Sequence, residues 1–167
     1  MFYRLLIQEE PFNVQMEINR IREVSNEIGG IVTFLGVVRD LNEGDEVESL
    51  YLEHYPGMTE SQIDEIAHTA SDRWNALAIT IIHRVGNLSP SEEIVFVGVG
   101  SQHRGDSFLA CEYIMDYLKT KAAFWKKEQS ARGDRWLVTR ETDLEARNRW
   151  EKDPRSSDNE ADRWRQR

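Results

Sequence analysis

Residues 77–100 read LAITIIHRVGNLSPSEEIVFVGVG, two apolar runs separated by a short polar stretch. Leu77 to Val85 and Glu93 to Gly100 have the composition of strands, rich in Ile and Val. The connection, Gly86 to Ser91 with Pro90, is of hairpin length. Strands joined so closely pair antiparallel, whereas parallel neighbours need a crossover of a dozen or more residues. This pair therefore sets the class of the fold as α+β, with a mixed or largely antiparallel sheet rather than a doubly wound parallel one.

The flanks fit that class. Residues 2 to 8 have strand composition and Pro11 closes them. Asn13 reads as the N-cap of a helix carrying Val14, Ile18, Ile21, Val24 and Ile28, stopped by Gly29-Gly30. Ile31 to Val38, IVTFLGVV, is almost continuously apolar and reads as a strand buried on both faces. Asp40 to Glu48 holds five carboxylates, one Gly and no base, so a mobile loop is expected there. A strand follows in Val47 to Tyr55, with Leu50, Leu52 and His54 on one side. Thr59 and Gln62 have the spacing of a capping box, ahead of a stripe of Ile63, Ile66, Ala67, Ala70 and Trp74.

Beyond residue 100 the spacing predicts a helix capped by Asp106 or Ser107, with Phe108, Cys111, Ile114, Met115, Leu118 and Ala122 buried. Helical periodicity is lost at Phe124-Trp125. Strands at Phe124 to Glu128 and Trp136 to Thr139 are expected around a Gly133-Asp134 turn, then a short helix over 141–150. From Glu151 onward five acids, five bases and two apolar residues predict a disordered tail. The expected organisation is one domain over 1–150 and a charged tail over 151–167.

The totals narrow the function classes. The chain has 167 residues, 40% hydrophobic and 31% charged, with formal net charge −9. That describes a soluble globular protein, one for which the cytoplasm is expected. No apolar run approaches the roughly 20 residues of a membrane span, and MFYRLLIQEEPF turns acidic too early for a signal peptide. No membrane and no nucleic acid is expected as a partner, because so acidic a chain repels a polyanion. Cys111 is the single cysteine, so an internal disulfide and a multi-cysteine zinc site are both excluded. It falls on the apolar helix face and reads as a core residue. His54, His68 and His83 lack metal-ligand spacing, and no metal or other cofactor is expected.

Against this acidic background Lys119, Lys121, Lys126 and Lys127 form a local run of positive charge with no carboxylate among them. An acidic protein that keeps a basic pocket suits one particular anion. An amine crowded by cations or burial also becomes a base or nucleophile at neutral pH. Lysines at a helix end equally complement its dipole with no further role. His103-Arg104-Gly105, just before a helix, offers an imidazole, a guanidinium fork and free N–H groups to a phosphate or carboxylate.

These residues lie in stretches that resemble the large, catalytic subunit of molybdopterin synthase: VTFLGVVRD (32–40), LEHYPGMTE (52–60), IHRVGNLSPSEEIVFVGVGSQHR (82–104), IMDYLKTKAAFWKKE (114–128) and Gly133-Asp134-Arg135-Trp136. The resemblance runs collinearly from residue 1 to about 150. It implies an α/β-hammerhead-like fold with an additional small β subdomain. It also implies a sulfurtransferase of molybdenum cofactor biosynthesis that converts cyclic pyranopterin monophosphate (precursor Z) into molybdopterin. The implied sulfur source is the C-terminal Gly-Gly thiocarboxylate of a small ubiquitin-like sulfur-carrier subunit. The implied assembly is a heterotetramer around a homodimer of this chain. By the same resemblance Lys119 and Lys126 match the catalytic positions. Val37, Val38, Arg39, His103, Arg104, Lys126, Lys127 and Glu128 match substrate-contacting ones, and Arg140 matches a basic pocket residue. A neighbouring subunit is implied to share some of them. Lys119, with a pKa lowered by its neighbours, is expected to move protons or to attack the partner's carbonyl. Lys126 is expected to stabilise charge or anchor the tail. A non-catalytic groove for a ubiquitin-like tail is the competing reading of the same lysines.

Overall fold

The computed structural model describes residues 1–42, 45–46, 48–130, 133–137 and 141–152. A four-stranded sheet forms its centre, built from β1 (Phe2–Gln8), β2 (Gly30–Val37), β6 (Ala78–Arg84) and β8 (Glu93–Ser101), in the order β1-β6-β8-β2. β6 and β8 pair antiparallel with Ile79 opposite Val99 and Ile81 opposite Val97, as the short connection requires. β2 pairs antiparallel with β8, and β1 pairs parallel with β6, so the sheet is mixed.

Alternation along β6 and β8 sorts their side chains to two faces. Ala78, Ile82 and Phe96 meet α1 (Val14–Glu23) through Ile21, with Val14 and Ile18 packed around them. Asn13 does cap α1, its side-chain oxygen accepting the Met16 N–H at 2.9 Å. The helix stops at Glu23 rather than at the glycines, and Ile28 reaches the core from the turn that follows. Gly98 lets α1 come close, since a Cβ there would stand 2.4 Å from Ile21 Cδ1. On the opposite face Ile79, Ile81, Val97 and Val99 meet α2 (Met58–Trp74) and α3 (Arg104–Thr120).

A second antiparallel sheet, ordered β10-β9-β5-β7, joins β5 (Ser49–His54), β7 (Gly86–Leu88), β9 (Phe124–Gln129) and β10 (Arg135–Leu137). β7 lies inside the stretch expected as a plain connection between β6 and β8. The chain thus leaves the first sheet, adds a strand to the second, and returns. Val38, Leu50, Leu52 and Leu88 make a small core under this sheet. α4 (Glu141–Lys152) packs on α3 and extends two residues past the expected boundary at 150, and residues 153–167 lie outside the described residues. The result is the expected α+β architecture, with a mixed sheet and a second, smaller one. No helix among the described residues is long and apolar enough to cross a membrane.

Four local expectations are corrected. β2 is an edge strand with Phe34, Leu35 and Val37 exposed, not a strand buried on both faces. An apolar run reports a wish for burial, and here only one neighbouring strand is present in the chain to satisfy it. Within 40–48, Leu41–Asn42 (β3) and Asp45–Glu46 (β4) pair antiparallel where a mobile loop was expected. α3 starts at Arg104 after an extended His103, two or three residues ahead of the expected cap. Ser107 donates to the Gly30 carbonyl instead, and Phe108 turns outward while Leu109 and Tyr113 take the core face. Thr59 and Gln62 do not form a capping box. Gly57, at φ +83°, precedes the helix and its N–H donates to the Glu60 carboxylate. Thr59 Oγ1 donates to the Ala123 carbonyl at 3.0 Å and Gln62 Oε1 accepts the Ala123 N–H at 2.9 Å. The pair clamps the entrance to β9.

Candidate active site

Strand alternation splits the lysine run. Lys126 pairs in register with Leu52 of β5 and Leu137 of β10, so it shares the inward face with two aliphatic side chains. Lys127 points to the opposite face, where Asp134 takes its ammonium at 2.7 Å and the Trp136 ring lies 5.9 Å away. Lys121 is tied to Glu65 at 2.9 Å. What remains is a two-lysine site. Lys119, at the end of α3, and Lys126 act on one another electrostatically, and Asp143 of α4 lies 3.4 Å from Lys119 Nζ.

Lys126 is the perturbed amine. Burial, then the charge of Lys119, push its pKa below the ordinary lysine range, while Asp143 pulls it back up. Behind it stands His83, stacked on Phe124 with ring centroids 3.9 Å apart. His83 Nδ1–H donates to the Arg84 carbonyl at 2.8 Å, which assigns the tautomer. Burial first, and Lys126 second, push the His83 imidazole down to about 3, so it is neutral at working pH. The Lys126 amine therefore has an aromatic, uncharged wall.

The other expected residues fall elsewhere. His103 and Arg104 are exposed at the start of α3, whereas Lys119 is in its last turn. Fifteen helical steps separate Arg104 from Lys119, about 22 Å along the axis. Val37 is exposed on the edge strand. Val38 is buried in the small core, its N–H on Glu92 and its carbonyl on Ser91, and so presents no free surface. Arg39 is exposed just past β2. Glu128 shares the inward face with Lys126 and forms an ion pair with Arg135 at 3.2 Å. Arg140 lies outside the described residues.

A cavity of about 320 Å³ lies between β2 and α3, lined by Phe34, Phe108, Cys111, Met115 and Lys119 among others. It follows α3 from Phe108 to Lys119. Cys111 is buried there with its thiol pushed up to about 12 by burial, which marks it as inert. No group of three or more metal-binding side chains occurs among the described residues.

Residues 7–121 match the family model described as MoaE protein. The chain belongs to the MoaE family. Among its relatives, the molybdopterin synthase catalytic subunit of Haemophilus influenzae is 52% identical over 147 residues, covering 88% of this chain and 97% of that one. The MoaE protein of Burkholderia ambifaria, a solved structure, is 44% identical with TM-score 0.78 over 92% of this chain and 100% of its own. A Helicobacter pylori structure titled as a complex of subunits 1 and 2 of molybdopterin-converting factor shares the fold, with TM-score 0.66 at 14% identity over 83% of this chain and 91% of that one.

Within this MoaE chain two residues of the site escaped the sequence reading. His83 read as an ordinary strand residue, and only the return of β9 beneath it reveals its contact with Phe124. Asp143 sits 24 residues from Lys119, and nothing in local spacing links them. Helix docking makes that contact.

Proposed function

We propose that the site of sulfur transfer in this catalytic subunit, an enzyme of molybdopterin formation, is the Lys119–Lys126 pair. The single observation that carries the reading is the half-buried Lys126, whose proton is loosened by burial and by Lys119. A docking groove needs a fixed cation for a carboxylate, not an amine prepared to give up its charge.

The roles that fit this geometry reverse the first expectation. Lys126 is the amine that exchanges a proton, and Lys119, ion-paired with Asp143, is the charge that stabilises an anion. The thiocarboxylate sulfur of a small ubiquitin-like partner bonds to a side-chain carbon of precursor Z as a C–O bond of that carbon breaks, the oxygen leaving as water or as the phosphate oxygen of the opened cyclic ester. The sulfur's bond to the partner's carbonyl carbon then breaks, with water supplying the oxygen that leaves a carboxylate behind. Two such transfers give the dithiolene. The complex of two subunits in the H. pylori structure supports a partner of this kind.

His103 and Arg104 enter from a second copy of the chain. An isologous contact along the β2–α3 cavity, with its two-fold axis across α3, would set the helix against its own copy in reverse direction. The start of one helix then meets the end of the other, and the pair His103-Arg104 comes to the lysines to hold the substrate phosphate. Exposed Phe34 and Phe108 beside the cavity are the apolar surface such a contact would cover.

The test is reconstitution. This protein, a thiocarboxylated ubiquitin-like partner and precursor Z are mixed, and the dithiolene product is read as its fluorescent oxidised pterin. Product should require all three components, and Lys119→Ala should keep partner binding while losing turnover by at least about a hundredfold. Partner binding without product from the unaltered protein would favour the docking groove instead.

A further inference from the structure

Asp143 stands in the first turn of α4, beyond the residues that the family model matches. The other end of α4 is anchored firmly on α3. Trp150 Nε1 donates to Asp116 Oδ2 at 2.8 Å, and Arg149 reaches both Glu112 and Asp116 at 2.7 Å. The Trp150 ring is buried edge-on to Trp74 and Tyr113, with centroids 5.4 and 5.5 Å away. Residues 112, 116 and 119 fall on one face of α3 at steps of four and three. α4 therefore runs antiparallel to α3 and delivers Asp143 to the end where Lys119 stands, 3.4 Å away.

We propose that Asp143 is a positioning residue of the sulfur-transfer site, holding Lys119 in place and supplying the counter-charge that lets two lysines share one pocket. The inference rests on the reading of that pair as the reacting site. The groups that face Lys126 are Lys119 from α3, Asp143 from α4 and His83 from β6, with His54 of β5 beside His83. His83 is neutral, and Glu128, next on the same face of β9, is ion-paired with Arg135. Among the described residues Asp143 is thus the carboxylate that contacts Lys119, at 3.4 Å, and whose charge also acts on Lys126. Without it, Lys126 meets Lys119 with no opposing charge, and its proton is held less tightly.

The test reads the Lys126 proton directly. Lysines of the protein are carrying 13C-methyl groups by reductive methylation, the Lys126 signal is assigned by its loss in Lys126→Arg, and its titration is followed by NMR. Asp143→Asn should shift that titration to lower pH, and Asp143→Glu should return it. Glu145→Gln, which removes an exposed carboxylate from the same helix, should leave it in place. In the reconstituted reaction on unmethylated protein, the limb of the kcat profile set by Lys126 should move in the same direction for Asp143→Asn. An unmoved titration in Asp143→Asn, or an equal shift in Glu145→Gln, would overturn the proposal. The titration needs no turnover. A shift seen in a protein whose unaltered complex makes no product would support the charge role and overturn the sulfur-transfer reading instead.

Discussion

His83 shows what one buried side chain can do without touching a substrate. Its imidazole stacks on Phe124 and, being uncharged, adds no positive charge beside Lys126. The same burial makes stability depend on pH, and the sign can be worked out. An unfolded His83 binds a proton below about 6.5, while the folded one stays neutral down to about 3. The unfolded state therefore binds more protons in that window, and stability falls as the pH falls through it, by up to about 1.4 kcal/mol per pH unit. His83→Phe keeps an aromatic ring against Phe124 and removes the titration. Urea unfolding between pH 6.5 and 4 should show a shallower loss of stability for the variant. Parallel curves would mean that His83 is accessible to protons in the folded protein. None of this was legible in IIHR, because strand residues reveal their neighbours only when the partner sheet is known.

At the scale of elements, most of the fold was readable and the errors share one cause. The hairpin of β6 and β8, the stripe of α2 and the Asn13 cap all depend on residues within a few steps of one another. The misread features depend on distant ones. Phe34, Leu35 and Val37 look buried until the sheet order leaves β2 at an edge. Thr59 and Gln62 look like a capping box until β9 arrives, when both turn to the backbone of Ala123. That clamp fixes where β9 begins, and with it the register that points Lys126 inward. Gln62→Ala leaves the part-buried Ala123 N–H without its acceptor and should cost about 1–3 kcal/mol, measured by chemical denaturation. It should also speed hydrogen exchange most at β9, so protection there should drop before that of β6 and β8. A loss spread evenly over both sheets would show that the clamp does not govern β9.

At the scale of the whole molecule, the proposed site draws on two clusters that a single chain keeps apart. The lysine pair and the His103-Arg104 turn sit at opposite ends of α3, about 22 Å apart. The sequence could suggest both clusters by resemblance, yet spacing along the chain says nothing of which copy each one serves. The cavity along β2 and α3, flanked by exposed Phe34 and Phe108, supplies the surface on which a reversed copy would unite them. The most direct measurement uses two variants, Lys119→Ala and Arg104→Ala, each expected to have lost nearly all sulfur transfer. Co-expressed with different affinity tags, they are purified as the mixed dimer and assayed with thiocarboxylated partner and precursor Z. If sites are shared between copies, one site of the mixed dimer is doubly altered and the other is intact, and about half of the unaltered activity should return. Activity no higher than that of the two variants alone would place each site within a single chain and contradict the account.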